Sequence, residues 1–216
     1  MPTPTLEEYL ETIYKIGLDG AVRPSQIADS MGVSGPTVTA TLKRLEARGL
    51  VDREGTDVVL TELGVGEALE IVRKHRVAER FLVDVLALDW DVAHEEACRL
   101  EHALSGRVLD ALEKLLDNPE VCPHGHPIPS ASGTVTTSPG RPLSELTGGD
   151  AATVLRVAEG TEALGYLGSV GLVPGAKVAV TSVQPAGGLM AVRVDGRDSV
   201  VSIAVAGQVT VSKAAS

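Results

Sequence analysis

The stretch "DNPEVCPHGHPIPSASGTVTTSPGRPLSELTGG", residues 117–149, constrains the fold of this chain more than any other. Its proline, glycine and serine interrupt helices and strands, so it reads as a linker. The sequence on its two sides has different periods. Before it, apolar residues recur at helical spacing. After it come the β-branched runs "TVLRVA", "KVAVTSV", "LMAVRV", "SVVSIA" and "QVTVS", with glycine-bearing turns between them. Helical period on one side and strand composition on the other predict an α+β chain ending in a small all-β domain, a five-stranded barrel by strand count.

The helical part begins with a helix over 5–18, where Leu6, Tyr9, Leu10, Ile13 and Ile16 share a face. In "PSQIADSMGVSGPTVTATLKRLEARGLV", Ser25 is placed to cap a short helix from Gln26 to Met31. "GVSG" breaks that helix, and Pro36 suits the first turn of a second one running to about Arg48. Caps, turn and apolar spacing agree on a helix-turn-helix. Two ordinary packed helices are the alternative. "LVDREGTDVVLTELG" predicts a hairpin around "EGTD", the wing of a winged helix. Long helices follow over Glu62–Leu86, Asp91–Ser105 and through "VLDALEKLL"; such leucine- and valine-rich segments often form dimer interfaces.

In a helix-turn-helix, the start of the second helix meets base edges. Here that gives Ser34, Pro36, Thr37, Thr39 and Ala40, all small. They offer hydroxyls and apolar contacts to thymine methyls, not a bidentate arginine. Lys43 and Arg44 are placed for phosphates, which position without specifying. Modest base readout with some dependence on DNA shape is expected.

The net charge of −10 argues against indiscriminate nucleic-acid binding, although it allows a local basic surface. No apolar run approaches the ~20 residues of a membrane span. The N-terminus lacks the layout of a secretory signal, so a cytoplasmic protein with reduced Cys98 and Cys122 is expected.

"HEEACRLEH" then raises a chemical question. On a helix, His94, Cys98, Glu101 and His102 lean toward one side, and "HRVAE" puts His75 and Glu79 four apart on another helix. Carboxylate and imidazole from several helices can build a metal site. Spacing alone leaves a metal site and a solvated face both open.

Four separated motifs narrow the choice. "EYLETIY", "SGPTVTATLKRLEARGLV", "RKHRVAERFLVDVLALDWDVAHEEACRLEHALS" and "HGHPIP" together resemble the diphtheria toxin repressor family of metal-dependent regulators. The resemblance covers the whole chain. It implies a winged helix over 1–64, a helical dimerisation and metal-binding domain over 65–122, a proline-rich linker over 123–149 and an SH3-like (FeoA-like) domain over 150–216. It also implies a homodimeric repressor of metal-homeostasis genes, binding palindromic double-stranded DNA with one or two dimers per operator.

Carried over by motif, Cys98, Glu101 and His102 match the family's regulatory metal site, which Glu8 of the first helix joins. Iron-type members have methionine at that place, so this chain departs from them. Manganese-type members have aspartate there and a further glutamate matching Glu11, but a carboxylate in place of Cys98. His75, Glu79 and His94 match the ancillary site of iron-type members, with Glu159 and Glu162 of the β domain as candidate partners. A rival ancillary set, seen in some manganese regulators, is Cys122, His124, Glu79 and Glu159. Both sets are open.

Hard carboxylates suit Mn(II), and thiolate pulls toward later ions. Mn(II) is the expected co-repressor and Fe(II) its close rival, with Co(II), Ni(II) or Zn(II) as substitutes in vitro. Two other classes stand against a repressor. A metal-dependent hydrolase would keep an open coordination position for water, but no zinc-protease motif or phosphate-cradling loop is present. A peptide-binding SH3-like module would need an aromatic groove, and aromatics make up only 2% of the chain.

Overall fold

The computed structural model describes residues 5–159 and 163–212, so Glu162 lies outside the described residues. It divides into two compact units, residues 1–74 with 129–134, and residues 75–128 with 135–216.

The first unit opens with α1 (Leu6–Gly17). Thr5 caps it, its hydroxyl accepting from the Glu8 N–H at 3.2 Å while the Glu8 carboxylate accepts from the Thr5 N–H. This reciprocal pair satisfies two of the donors that every helix start leaves unpaired. α2 (Pro24–Met31) begins earlier than the sequence suggested. Pro24, not a cap at Ser25, opens it, because a residue without an N–H fits the first turn at no cost. Gln26 reaches back to accept from the Arg23 N–H at 2.8 Å. Gly32 ends α2 at φ 62°, a conformation that glycine adopts without strain. Ser34 caps α3 (Gly35–Ala47). Strands β1 (Val51–Glu54) and β2 (Asp57–Leu60) form the expected hairpin.

Ile27, Val38, Leu42 and Leu45 of the helix-turn-helix are fully buried with Tyr9, Leu10 and Ile13 of α1. The start of α4 (Glu62–Asp84) is pinned to the same core. The Thr61 hydroxyl donates to Gly49 O at 2.7 Å and accepts from the Gly64 N–H at 3.0 Å. Gly64 has to be glycine, since a Cβ there would meet Leu50 O at 1.9 Å.

In the second unit, the rest of α4 packs with α5 (Trp90–Leu100) through Leu82 and the alanines Ala78, Ala93 and Ala97, whose small side chains let the helices approach closely. α6 (Gly106–Leu115) follows, capped by Ser105. α5 stops at Leu100, shorter than the expected 91–105. Glu101 is its C-cap, and a turn carries His102.

The β part is a six-stranded antiparallel sheet in the order β3 (Arg141–Pro142), β8 (Val209–Val211), β4 (Ala151–Val157), β5 (Lys177–Gln184), β6 (Leu189–Val194), β7 (Arg197–Ser202). Bulges between Val154 and Arg156 and between Val180 and Ser182 bend it around an aliphatic core. The count exceeds the expected five strands. The extra strand is a two-residue edge piece containing Pro142, and an edge is where a residue without an N–H is tolerated. Two short helices, α7 (Leu164–Ser169) and α8 (Ile203–Ala206), complete it. α8 takes up the end of "SVVSIA", read from sequence as strand, because Ser202 caps a helical turn at Val205 N.

The stretch 117–149 is more than a linker. Leu143 and Leu146 are buried in the β core, Cys122 and His124 are buried, and Val121 bridges Pro127. Burial of these few apolar and ligand-type side chains outweighs the local proline and glycine signal.

Candidate metal centre and DNA-reading surface

Three segments of the second unit converge on one polar cluster, buried at His75, Glu79, Glu101, Cys122 and His124 and exposed at Cys98. α4 supplies His75 and Glu79, one turn apart, at 1% and 0% exposure. α5 and its C-terminal turn supply His94, Cys98, Glu101 and His102. The loop 121–128 supplies Cys122, His124 and His126.

The loop owes its place to Gly125. It sits at φ 86°, and a Cβ would lie 2.1 Å from Leu155 O, so only glycine lets the loop lie against β4. The Val157 N–H donates to His124 O at 2.9 Å, and His126 Nε2 donates to Val157 O at 2.7 Å.

His75 is the centre of the network. Its Nδ1 lies 2.6 Å from Glu101 Oε2, and its Nε2 lies 3.0 Å from Glu79 Oε1. Glu79 Oε1 is also 2.8 Å from His94 Nδ1 and 3.2 Å from His124 Nδ1. Cys98 Sγ stands 3.9 Å from His75 Nδ1, and Glu101 Oε1 stands 3.3 Å from His102 Nε2. Burial alone pulls the His75 pKa down. The Glu79 charge and hydrogen bonds with Cys98, Glu101 and Glu79 prevail and hold it well above the usual imidazole value. Burial would raise the Glu79 pKa, but the His75 charge and hydrogen bonds from His124, His75 and His94 keep it well below the carboxylate range. Cys122 is pushed up, first by burial and then by the charges of Glu79 and Glu159.

Within the second unit, two sets of donors lie close enough to share an ion, with ligand atoms within 4.8 Å of one another: His75, His94 and Cys98, and Glu79, Cys122 and His124. Donors around a four-coordinate ion with bonds of about 2.0–2.3 Å sit about 3.3–3.8 Å apart, so clusters whose atoms lie within 4.8 Å would hold a transition-metal ion after tightening by up to about 1 Å. The donors are nitrogen, sulfur and carboxylate oxygen, which suits a first-row divalent cation.

This grouping differs from the one carried over by motif. Cys98 falls with His75 and His94, and His75 reaches Glu101 on one side and Glu79 on the other. His75, Glu79, His94, Cys98, Glu101 and His124 thus form one continuous network in this unit. Glu159 lies beside Cys122, its Oε1 at 3.9 Å from Sγ. It also accepts from Arg76 Nε at 3.0 Å. Sequence reasoning passed over Arg76 and His126. The available signal was an arginine among Val72, Val77 and Ala78, positions that read as core.

Glu8 and Glu11 belong to the first unit. Glu8 closes the α1 cap, and Glu11 pairs with Lys15 at 2.9 Å.

With this geometry in hand, relatedness decides the family. Over 212 residues the chain is 38% identical to the iron-dependent repressor IdeR of Mycobacterium leprae, covering 91% of each protein. The chain belongs to the diphtheria toxin repressor family of metal-dependent regulators. Residues 1–58 match the iron dependent repressor N-terminal DNA binding domain, 61–130 the iron dependent repressor metal binding and dimerisation domain, and 141–213 the FeoA domain. Among solved structures, a manganese-dependent transcriptional repressor in complex with manganese superposes with a TM-score of 0.90 at 33% identity, over 96% of this chain and 99% of that one. ScaR with bound Zn2+ gives 0.84 at 32% identity, over 97% and 100%. A family of DNA-binding repressors sets aside the hydrolase alternative.

The α+β architecture of this family member thus carries a winged helix-turn-helix, a helical metal-binding and dimerisation region and an SH3-like sheet. On α3 and its cap, the candidate DNA contacts Ser34, Pro36, Thr37, Thr39, Ala40, Lys43 and Arg44 are all exposed. Three of the hydroxyls are partly engaged already. Ser34 Oγ lies 2.7 Å from Thr37 Oγ1, and Thr39 Oγ1 donates to Gly35 O at 3.0 Å. Among the described residues no helix is long and apolar enough to cross a membrane.

Proposed function

We propose that this chain is a cytoplasmic, homodimeric transcriptional repressor that binds palindromic promoter DNA when loaded with Mn(II), and controls metal-homeostasis genes. Residues 1–64 read the DNA, 65–122 dimerise and hold metal, 123–149 connect, and 150–216 contribute to the site. The observation that carries this reading is the pair of donor clusters meeting at Glu79, one fully buried and one opening outward through His94 and Cys98, in a chain that also presents an exposed reading helix.

Glu79, Cys122 and His124, with Glu159 beside them, are the candidates for one ion. Cys98, Glu101 and His102, joined by His75 and His94, are the candidates of the second unit for the regulatory one. A bound divalent cation supplies two positive charges and a fixed coordination geometry. The protein's part is to keep the donors in place. The carboxylates of Glu79 and Glu101 are held by imidazoles from α4, α5 and the 121–128 loop, so these segments are set before loading. Exposed Val92, Leu100, Val108 and Leu115 on α5 and α6 support an apolar dimer face. Two reading heads about one DNA turn apart then meet the two halves of a palindrome. By linkage, DNA tightens metal binding by the factor that metal tightens DNA binding.

Glu8, Glu11, Glu79 and Glu101 favour a hard ion, hence Mn(II). The thiols of Cys98 and Cys122 favour Fe(II) as the second reading. Anaerobic fluorescence anisotropy with DNA from the protein's own promoter, in chelator, then Mn(II), then Fe(II), tests both. Tight binding only with metal is expected, strongest with Mn(II) at its cellular free concentration. Equal binding in chelator would overturn the proposal.

A further inference from the structure

Arg76 is 3% exposed and belongs to neither donor cluster. Its Nε donates to Glu159 Oε1 at 3.0 Å and its Nη1 to Pro127 O at 2.6 Å. One guanidinium thus ties α4 to the end of β4 and to the loop that carries Cys122 and His124. The same Glu159 oxygen stands 3.9 Å from Cys122 Sγ, about the spacing of two ligands on one ion. We propose that Arg76 is a positioning residue for the Glu79–Cys122–His124 pocket, holding Glu159 beside Cys122 and balancing the charge of the loaded site.

The charge count supports this. Glu79, Glu159 and a Cys122 thiolate bring three negative charges, and a divalent cation brings two positive ones. The Arg76 guanidinium supplies the third, so the buried ensemble is neutral. An unbalanced charge in so dry a place would be costly. A carboxylate oxygen has two lone-pair directions, so Glu159 can accept from Arg76 and face an ion together. The inference rests on the metal role proposed above for this pocket.

The test is an anaerobic Co(II) titration of the full chain in a Cys98→Ser background, where Cys122 is the one remaining thiol. Thiolate-to-Co(II) absorption reports Cys122 directly. Emission of Trp90, the single tryptophan, reports the same pocket, because its ring meets His124 edge-on at 5.1 Å. Arg76→Met should weaken Co(II) binding by about 10–100-fold, the usual cost of losing an outer-shell partner. Arg76→Lys keeps the charge without the planar fork and should recover part of the loss. Adding Glu159→Gln to Arg76→Met should cost less than the two single losses combined, since Arg76 acts through Glu159. Should Arg76→Met fail to fold by circular dichroism, the same cycle is run with Arg76→Lys. Unchanged affinity without Arg76, or losses that simply add, would overturn the inference. No thiolate absorption even with Arg76 present would instead remove the proposed metal role of Cys122 beneath it.

Discussion

The two units are stabilised by opposite means. The first buries Tyr9, Leu10, Ile13, Ile27, Val38, Leu42 and Leu45, and its polar groups are mostly spent on helix caps a few residues away. The second has a modest apolar contact between α4 and α5, and beside it a largely buried network of imidazoles, carboxylates and the Cys122 thiol joined across long stretches of chain. Apolar packing is indifferent to pH and metal. A buried polar network is not, because each member relies on a partner's charge state. The teaching of the comparison is that the metal-responsive part of this family member is the part whose stability is conditional.

That contrast can be broken most forcefully at Glu79. Glu79→Ala leaves three imidazoles without their shared acceptor, and should cost about 3–5 kcal/mol, as breaking a buried pair does. Thermal melts should show the loss, and Mn(II) should no longer raise the Tm. If Mn(II) still stabilises the variant to the wild-type extent, Glu79 holds no ion.

Leu42→Ala probes the other kind of core. A cost of about 2–5 kcal/mol is expected from the lost apolar contacts and the cavity. Mn(II) affinity measured by calorimetry on the folded fraction should not change.

Acidity should separate the units without any mutation. The folded His75 pKa is raised, so its contribution is complete below the unfolded imidazole value and is lost as pH rises through the folded one. The folded Glu79 pKa is depressed, so its contribution is present above the unfolded carboxylate value and is lost as pH falls through the folded one. Metal-free protein should therefore be most stable between these limits. Histidine resonances followed by NMR across the titration check this, and a flat stability profile over the whole range would contradict it.

Smaller effects are expected on the reading helix. Lys43→Ala should weaken binding to all DNA sequences alike and lower the salt slope by about 1. Ser34→Ala removes the α3 cap and should cost about 1 kcal/mol, with metal affinity untouched. Anisotropy at two salt concentrations and a denaturant melt suffice for these.

How legible each unit was in sequence follows from the same contrast. Thr5 with Glu8, Ser34 with Thr37, and the "EGTD" hairpin involve residues within a few positions of each other, and local pattern finds them. α2 was misplaced by two residues only because proline at the first turn competes with serine as the start signal. The second unit resisted. Its helices were readable, but "DNPEVCPHGHPIP" reads as a linker by composition, and nothing local says that Cys122 and His124 are buried. The sixth strand escaped for a similar reason, being two residues long and half proline.

The sequence by itself determined the family, the order of winged helix, helical region and β domain, and the pool of candidate ligands, because caps, periods and motifs are local. Only the tertiary structure decided which candidates lie together. His75 meets Glu101 across 26 residues, Cys122 meets Glu159 across 37 and Arg76 meets Glu159 across 83. Helical spacing fixes which side chains share a face, but not which face another segment covers. The Gly125 turn, by laying its loop against β4, settles that here.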